Sequence, residues 1–281
     1  MRAALLQLRS GDDPAVNLAV TEALLREAAS GGATFVATPE CTNMVSFSRE
    51  LQAERLRIEV EDPTLMRLSA VAAELGIWLL IGSLCLRGGP EPEARFVNRS
   101  LLVGPEGRVH ARYDKIHMFD VELPGGESYR ESAAYRPGTA AVLARAGAAE
   151  VGLTICYDLR FPHLYRDLAK AGARILTVPA AFTVPTGKAH WHVLLRARAI
   201  ETGAFVLAPA QCGTHPASRG KARETYGHSL AVSPWGEVLA DGGEAPETVV
   251  YADLDFGLVE KARARIPALT HDRPYAPVRV T

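Results

Sequence analysis

No stretch of this chain approaches the ~18 consecutive apolar residues that a bilayer-spanning helix needs, so no membrane partner is expected. Charge of neither sign is in excess. The 31 Lys and Arg against 32 Asp and Glu leave a formal net charge of -1, without the basic stripe of a nucleic-acid binder. Cysteine is scarce and scattered: Cys41, Cys85, Cys156 and Cys212 form no C-x-x-C, which excludes a zinc ribbon and a thioredoxin motif. H-E-x-x-H, G-x-S-x-G, the Walker loop and G-x-G-x-x-G are absent as well. His190 and His192 stand two apart on a helical pattern and so face different ways, which speaks against a metal pair. Neither a metal nor an organic cofactor is expected. The opening segment Met1–Leu8 lacks a small-residue cleavage site and reads as a strand, not a secretory signal. The expected compartment is the cytoplasm, with the cysteines as free thiols.

What is present is the composition of an ordinary globular protein, 281 residues with 48% hydrophobic and 22% charged. Strand and helix patterns alternate along it. Met1–Leu8 and Thr34–Thr38 read as strands around a helix from Pro14 to Ala29. Asp62 caps a helix with Pro63 at its first position, running to about Leu75, and Ile77–Leu86 is a buried-looking strand. Phe96–Val103 and Arg108–Tyr113 flank Gly104-Pro105-Glu106-Gly107 as a hairpin. Asp114–Gly138, with Pro124-Gly125-Gly126 inside it, lacks periodicity and reads as a long loop. The second half repeats the scheme. Val151–Ile155, Arg174–Val178, Ala204–Ala208 and Val249–Leu254 read as strands, and Pro162–Ala171, His190–Glu201 and Asp255–Arg265 as helices. Ser229–Val232 and Val238–Ala240 form another hairpin. The expectation is one α/β domain over 1–281, with mixed sheets and helices on the outer faces.

Three side chains stand just past strand-like runs. Cys156 ends Val151–Ile155 and precedes Tyr157-Asp158-Leu159-Arg160-Phe161-Pro162. A thiol at such a bend is exposed to substrate, and the next backbone N–H groups can hold an oxyanion. Read locally, it is equally a buried structural cysteine. Glu40 follows Thr34-Phe35-Val36-Ala37-Thr38-Pro39. It is either a loop carboxylate or a general base whose pKa burial raises. Lys115 follows Arg108–Tyr113. It is a solvated hairpin-end lysine, or a cation that favours a thiolate and an oxyanion. The other three cysteines read as core residues.

Together, Pro39-Glu40, Tyr113-Asp114-Lys115-Ile116-His117 and Leu153-Thr154-Ile155-Cys156-Tyr157-Asp158-Leu159-Arg160-Phe161-Pro162 resemble the three catalytic blocks of the nitrilase (carbon–nitrogen hydrolase) superfamily, in the same order. The resemblance covers essentially the whole chain. It implies a four-layer αββα sandwich of two mixed β-sheets. It also implies a triad with Glu40 as base, Lys115 on the oxyanion beside the Tyr157 N–H, and Cys156 as nucleophile. A second glutamate is implied after the lysine. Glu131 matches it, and Glu127 and Glu122 fit less well.

Finer strings, among them Ala189-His190-Trp191-His192-Val193-Leu194 and Tyr226-Gly227-His228-Ser229, resemble the deaminated-glutathione amidase and ω-amidase branch. That branch implies a small-molecule 2-oxo-acid amide as substrate. Arg160 would receive its carboxylate and Phe182 and Thr186 would line the pocket. A guanidinium suits a carboxylate because it binds it bidentately; Arg160 could instead pair with Asp158 or Asp167. N-carbamoyl or aliphatic amide hydrolysis, and a non-catalytic partner protein of the same fold, are the other readings. The resemblance further implies a homodimer or larger homo-oligomer, with the helices after Cys156 and at His190–Glu201, and the tail over 266–281, at its interface. Two residues depart from the pattern: His163 and His192 stand where glutamate is expected.

Overall fold

The computed structural model describes residues 1–276 apart from 90, 92–93, 123–125 and 127. Pro124, Gly125, Glu127 and the tail beyond 276 therefore lie outside the described residues. In chain order the first half holds β1 (Arg2–Gln7), α1 (Pro14–Ser30), β2 (Phe35–Ala37), α2 (Arg49–Arg55), α3 (Pro63–Leu75), β3 (Trp78–Arg87), β4 (Phe96–Val103) and β5 (Val109–Asp114). Then come β6 (Asp120–Glu122), β7 (Ser128–Arg130), β8 (Val142–Ala146), β9 (Ala149–Leu153), α4 (Pro162–Lys170), β10 (Ile175–Thr177) and α5 (Val184–Thr202). The chain continues with β11 (Phe205–Ala208), β12 (Cys212–Thr214), β13 (Glu224–Tyr226), β14 (Leu230–Val232), β15 (Val238–Asp241), β16 (Thr248–Asp253) and α6 (Gly257–Arg265).

Two six-stranded mixed sheets result, ordered β16-β1-β2-β3-β4-β5 and β15-β14-β11-β10-β9-β8. Each has a parallel centre, β1-β2-β3 in one and β9-β10-β11 in the other, flanked by antiparallel strands. The sheets face each other between helical layers, giving the αββα sandwich. Strand alternation explains the layering. Ala3 and Leu5 of β1 join one core with Val151 and Leu153 of β9. Ala4 and Leu6, pointing the opposite way, join a second core with Leu25 of α1 and Leu68 of α3. Central strands covered on both faces read as unbroken apolar runs, as β1 and β3 do.

Helix starts follow their caps. Asp62 accepts from the Leu65 N–H at 2.8 Å before Pro63, and Asp13 from the Ala15 N–H at 2.9 Å before Pro14. Several features differ from the sequence expectation, among them β8, β12 and β13, which it does not contain. The expected loop over 114–138 contains the β6–β7 hairpin and a 3₁₀ turn at Glu131–Ala133. The helix at α5 starts six residues earlier than His190, at Val184. Helix α2 gives no clear apolar stripe in sequence; its Ser48 cap and buried Leu51 hold it.

Candidate active site

Ligand sites in α/β sheets gather at the carboxyl ends of parallel strands. Here Glu40 follows β2, Ala181 follows β10, and Cys156 stands three residues past β9. All three, with Lys115 beyond β5, line one cavity of about 350 Å³. Phe182 and Thr186 line it too.

Cys156 opens a 3₁₀ turn over Cys156–Arg160 and carries φ +50°, a left-handed conformation that a non-glycine residue adopts at a cost. Its N–H donates to the Pro179 carbonyl at 3.0 Å, fixing the bend. Glu40 is buried and fully engaged. Its Oε1 accepts from Lys115 Nζ at 3.0 Å and Asn98 Nδ2 at 2.9 Å, and its Oε2 from the Ala181 N–H at 2.9 Å. Lys115, 2% exposed, also donates to both oxygens of Glu131 at 3.0 and 2.8 Å. Glu131 in turn accepts from the Phe119 N–H at 2.7 Å. One ammonium thus lies between two carboxylates, next to a thiol.

The charges set the resting protonation. Burial pushes Glu40 up, but the cations of Lys115 and Arg223 outweigh it and hold the carboxyl below its ordinary range. The raised pKa expected from the sequence is thus corrected: burial acts as foreseen, and the two cations overturn its sign. Burial and the Glu40 charge push the Cys156 thiol up, and Lys115 only partly opposes them. Lys115 therefore does not make Cys156 a resting thiolate, contrary to the expectation from its charge alone. Burial disfavours the Lys115 cation, yet Glu131 and Glu40 raise its pKa well above the ordinary lysine value. The resting site is a carboxylate, an ammonium and a neutral thiol.

Arg160 is absent from the cavity lining. Its guanidinium lies 5.6 Å from the Phe182 ring centre and 5.9 Å from that of Tyr157, with Nη2 3.3 Å from His190 Nδ1. It packs against two wall residues without lining the cavity itself. Asp158 is not its partner. That buried carboxylate accepts from the Tyr113 hydroxyl, the Ile155 N–H and the His117 N–H, and meets His117 Nδ1 at 2.6 Å. His163 packs edge-on against His117 and Phe161. His192 meets Asp241, far along α5.

Several site residues carry no role in the sequence reading. Asn98 and Arg223 line the cavity, and Asn98 Oδ1 and Arg223 Nε are buried without a hydrogen-bond partner. Arg223 Nη2 donates to the Ala181 carbonyl at 2.6 Å. Asn98 could have been flagged as an amide inside the apolar run Phe96–Val103; Arg223 lies in an aperiodic polar stretch that offers no signal. Cys41 and Cys85, expected to be plain core residues, have sulfurs 3.3 Å apart and line the cavity. Among the described residues no helix is long and apolar enough to cross a membrane.

Comparison with known proteins gives the family. A Synechocystis protein named deaminated glutathione amidase is 38% identical over 275 residues, covering 96% of this chain and 97% of its own. A human protein named omega-amidase NIT2 is 36% identical over 273 residues, 97% of this chain and 95% of its own. The crystal structure of the C. elegans NitFhit protein superposes with a TM-score of 0.87 at 33% identity, over 97% of this chain and 65% of that longer one. The carbon-nitrogen hydrolase family model matches residues 2–264. The chain belongs to that family, and it is a hydrolase of carbon–nitrogen bonds other than peptide bonds.

Proposed function

We propose that this enzyme cleaves amides of 2-oxo acids through a Cys156 thioester, with deaminated glutathione as its first substrate. The observation that carries the mechanism is that Glu40, Cys156 and Lys115 line one cavity, with Glu40 3.0 Å from Lys115 Nζ and its charged form favoured by that ammonium. Glu40 accepts the thiol proton as sulfur attacks the amide carbonyl carbon. The carbonyl electrons move to oxygen, held by Lys115 and the Tyr157 N–H. Tyr157 suits that task because the first N–H groups of a helical turn have no intrahelical acceptor. Collapse of the intermediate breaks the C–N bond, and Glu40 returns its proton to the leaving amine. Water, deprotonated by Glu40, then attacks the thioester and releases the acid and the thiol. Glu131 keeps Lys115 aimed. Removing one oxyanion donor typically costs ~10²–10³ in rate.

For the substrate we assign Phe182 and Thr186 to the wall and Arg160 beside it to the 2-oxo-acid carboxylate. The relatives named deaminated glutathione amidase support a Cys-Gly leaving group. The omega-amidase relative, similar over nearly its full length, supports 2-oxoglutaramate and ammonia as the second reading. Purified enzyme assayed with both amides separates them: Cys-Gly release at the higher kcat/KM is expected, and faster ammonia release from 2-oxoglutaramate reverses the order. Cys156→Ala should abolish both. Full activity of that variant, or cleavage only of N-carbamoyl or simple aliphatic amides, overturns the proposal.

A homodimer is part of this reading, supported by the exposed Val193 and Ile200 on α5 and by the exposed Trp235 and Ile266, which line one surface pocket with Ile200. Sedimentation at several concentrations tests it, and a concentration-independent monomer refutes it. The four free thiols fit a reducing cytoplasm.

A further inference from the structure

Outside the cavity lining, three metal-ligand side chains meet. His192 lies on α5, His228 just before β14, and Asp241 at the end of β15. His192 Nε2 is 3.0 Å from Asp241 Oδ2, and His228 Nδ1 is 2.9 Å from Asp241 Oδ1. The donor atoms of all three lie within 4.8 Å of one another. We propose that His192, His228 and Asp241 form a binding site for one divalent transition-metal ion that prefers nitrogen and oxygen donors, such as Zn²⁺, Co²⁺ or Ni²⁺.

Geometry supports it. A tetrahedral ion with bonds of about 2.0–2.1 Å holds its ligand atoms roughly 3.3 Å apart; the two His–Asp separations are close to that, and the two histidine nitrogens need only close in from within 4.8 Å. Two imidazoles on such an ion place their ring centres about 5 Å apart; those of His192 and His228 are 5.1 Å apart, at 74°. The donor set is two imidazoles and one carboxylate, with room for water in the remaining position, as in many zinc sites.

The surroundings hold these ligands in place, as metal sites require. The Tyr226 ring stacks on His228 with centres 4.4 Å apart. The Trp191 indole N–H donates to the His228 carbonyl at 2.8 Å, and the His228 N–H donates to the Gly243 carbonyl at 2.8 Å. The Gly243 N–H donates to Asp241 Oδ1 at 2.8 Å, aiming the carboxylate. His228 sits at φ +56°, so its ring direction is fixed by an uncommon backbone conformation. All three side chains remain partly exposed, so an ion can enter from solvent. His192 is one of the two departures from the family resemblance. A glutamate in its place would put a second carboxylate against Asp241, and a histidine supplies a neutral nitrogen instead.

None of the three lines the catalytic cavity, so the site is separate from the hydrolysis chemistry. Its expected effect is mechanical, tying α5 to β15.

The test uses the full chain after treatment with chelator, dialysed against CoCl₂ or ZnCl₂. Uptake of one ion per chain is expected for wild type and equally for Cys156→Ala, which controls for ligation by that thiol. His192→Gln and Asp241→Asn keep polar side chains and should weaken uptake by at least about tenfold. Zn²⁺ should raise the thermal midpoint of wild type and leave both variants unmoved. Bound Co²⁺ should show visible ligand-field bands without a thiolate charge-transfer band. Unchanged uptake in His192→Gln, or none by wild type at about 100 µM free ion, overturns the proposal and leaves a hydrogen-bonded His–Asp–His cluster. Amidase assays do not enter this readout, so its failure and that of the proposed function are distinguishable.

Discussion

The Tyr113 hydroxyl donates to Asp158 Oδ2 at 2.7 Å, joining the residue two before Lys115 to the residue two after Cys156. Because Asp158 also accepts from the Ile155 and His117 N–H groups, one buried carboxylate binds the lysine loop to the cysteine turn. Leaving a buried acceptor short of one donor costs about 1–3 kcal/mol. Tyr113→Phe should lower the thermal midpoint accordingly and reduce kcat with little change in KM. Asp158→Asn should be the more damaging, near ~10² in kcat, because small displacements of reacting groups cost that much. Steady-state kinetics with thermal melts decide it: a melting shift with unchanged kcat would mean that Asp158 only supports the fold.

Glu40→Gln should uncouple two properties of the cysteine. Burial is the main reason the thiol resists ionisation, and the Glu40 charge is the next, opposed by Lys115. Neutralising Glu40 leaves Lys115 paired with Glu131 and still close to sulfur. The Cys156 thiol pKa should therefore fall while hydrolysis collapses for want of a base. Thiolate absorbance near the ultraviolet edge, read as a difference against Cys156→Ala, reports the midpoint. An unchanged or higher midpoint would show that the carboxylate does not govern the thiol.

Legibility in the sequence followed the range of the interaction. Caps and turns are local, so Asp62-Pro63 and Gly104-Pro105-Glu106-Gly107 reveal a helix start and a hairpin without any partner. Central strands show as apolar runs because both their faces are covered. Glu40, Lys115 and Cys156 were visible as chemistry-bearing residues at strand ends, and Glu131 only through a family resemblance. What sequence could not supply was the sum of fields at one point. The Glu40 shift is set by Lys115 together with Arg223, which is 183 positions away along the chain and lies in a stretch without periodicity. Arg160 was marked only by the family resemblance; in the fold it sits at the end of the 3₁₀ turn against the Tyr157 and Phe182 rings, outside the cavity lining. The β6–β7 hairpin was hidden because three-residue strands are too short to show alternation.

Gly82 packs against the backbone that leads into Glu40. A Cβ built there would stand 1.8 Å from the Thr38 carbonyl oxygen and 2.5 Å from Pro179 Cβ. Both neighbours belong to segments that carry the site: Thr38-Pro39 leads into Glu40, and the Pro179 carbonyl accepts from the Cys156 N–H. Gly82→Ala must therefore push backbone aside, at about 1–3 kcal/mol for such overpacking. A soluble, less stable protein with kcat reduced by well over tenfold is expected. Wild-type kcat in a folded Gly82→Ala would show that the segment yields without moving Glu40.

Arg223 should govern the acid limb of the pH profile. In the proposed mechanism Glu40 must be ionised to take the thiol proton, and its pKa is held below the ordinary 4.5 by Lys115 and Arg223 against burial. For a carboxylate with a depressed folded pKa, both activity and its share of stability are present above the unfolded value and are lost as pH falls through the folded one. Arg223→Met removes one cation and leaves burial in force, so the Glu40 pKa rises. The fall in kcat/KM on acidification should then begin at higher pH than in wild type, and the acid unfolding midpoint should move the same way. Arg223→Lys restores the charge without the hydrogen bond to the Ala181 carbonyl, so it should recover most of the wild-type acid limb even if its kcat stays low. Coincident acid limbs for wild type and Arg223→Met would show that Lys115 alone keeps Glu40 ionised.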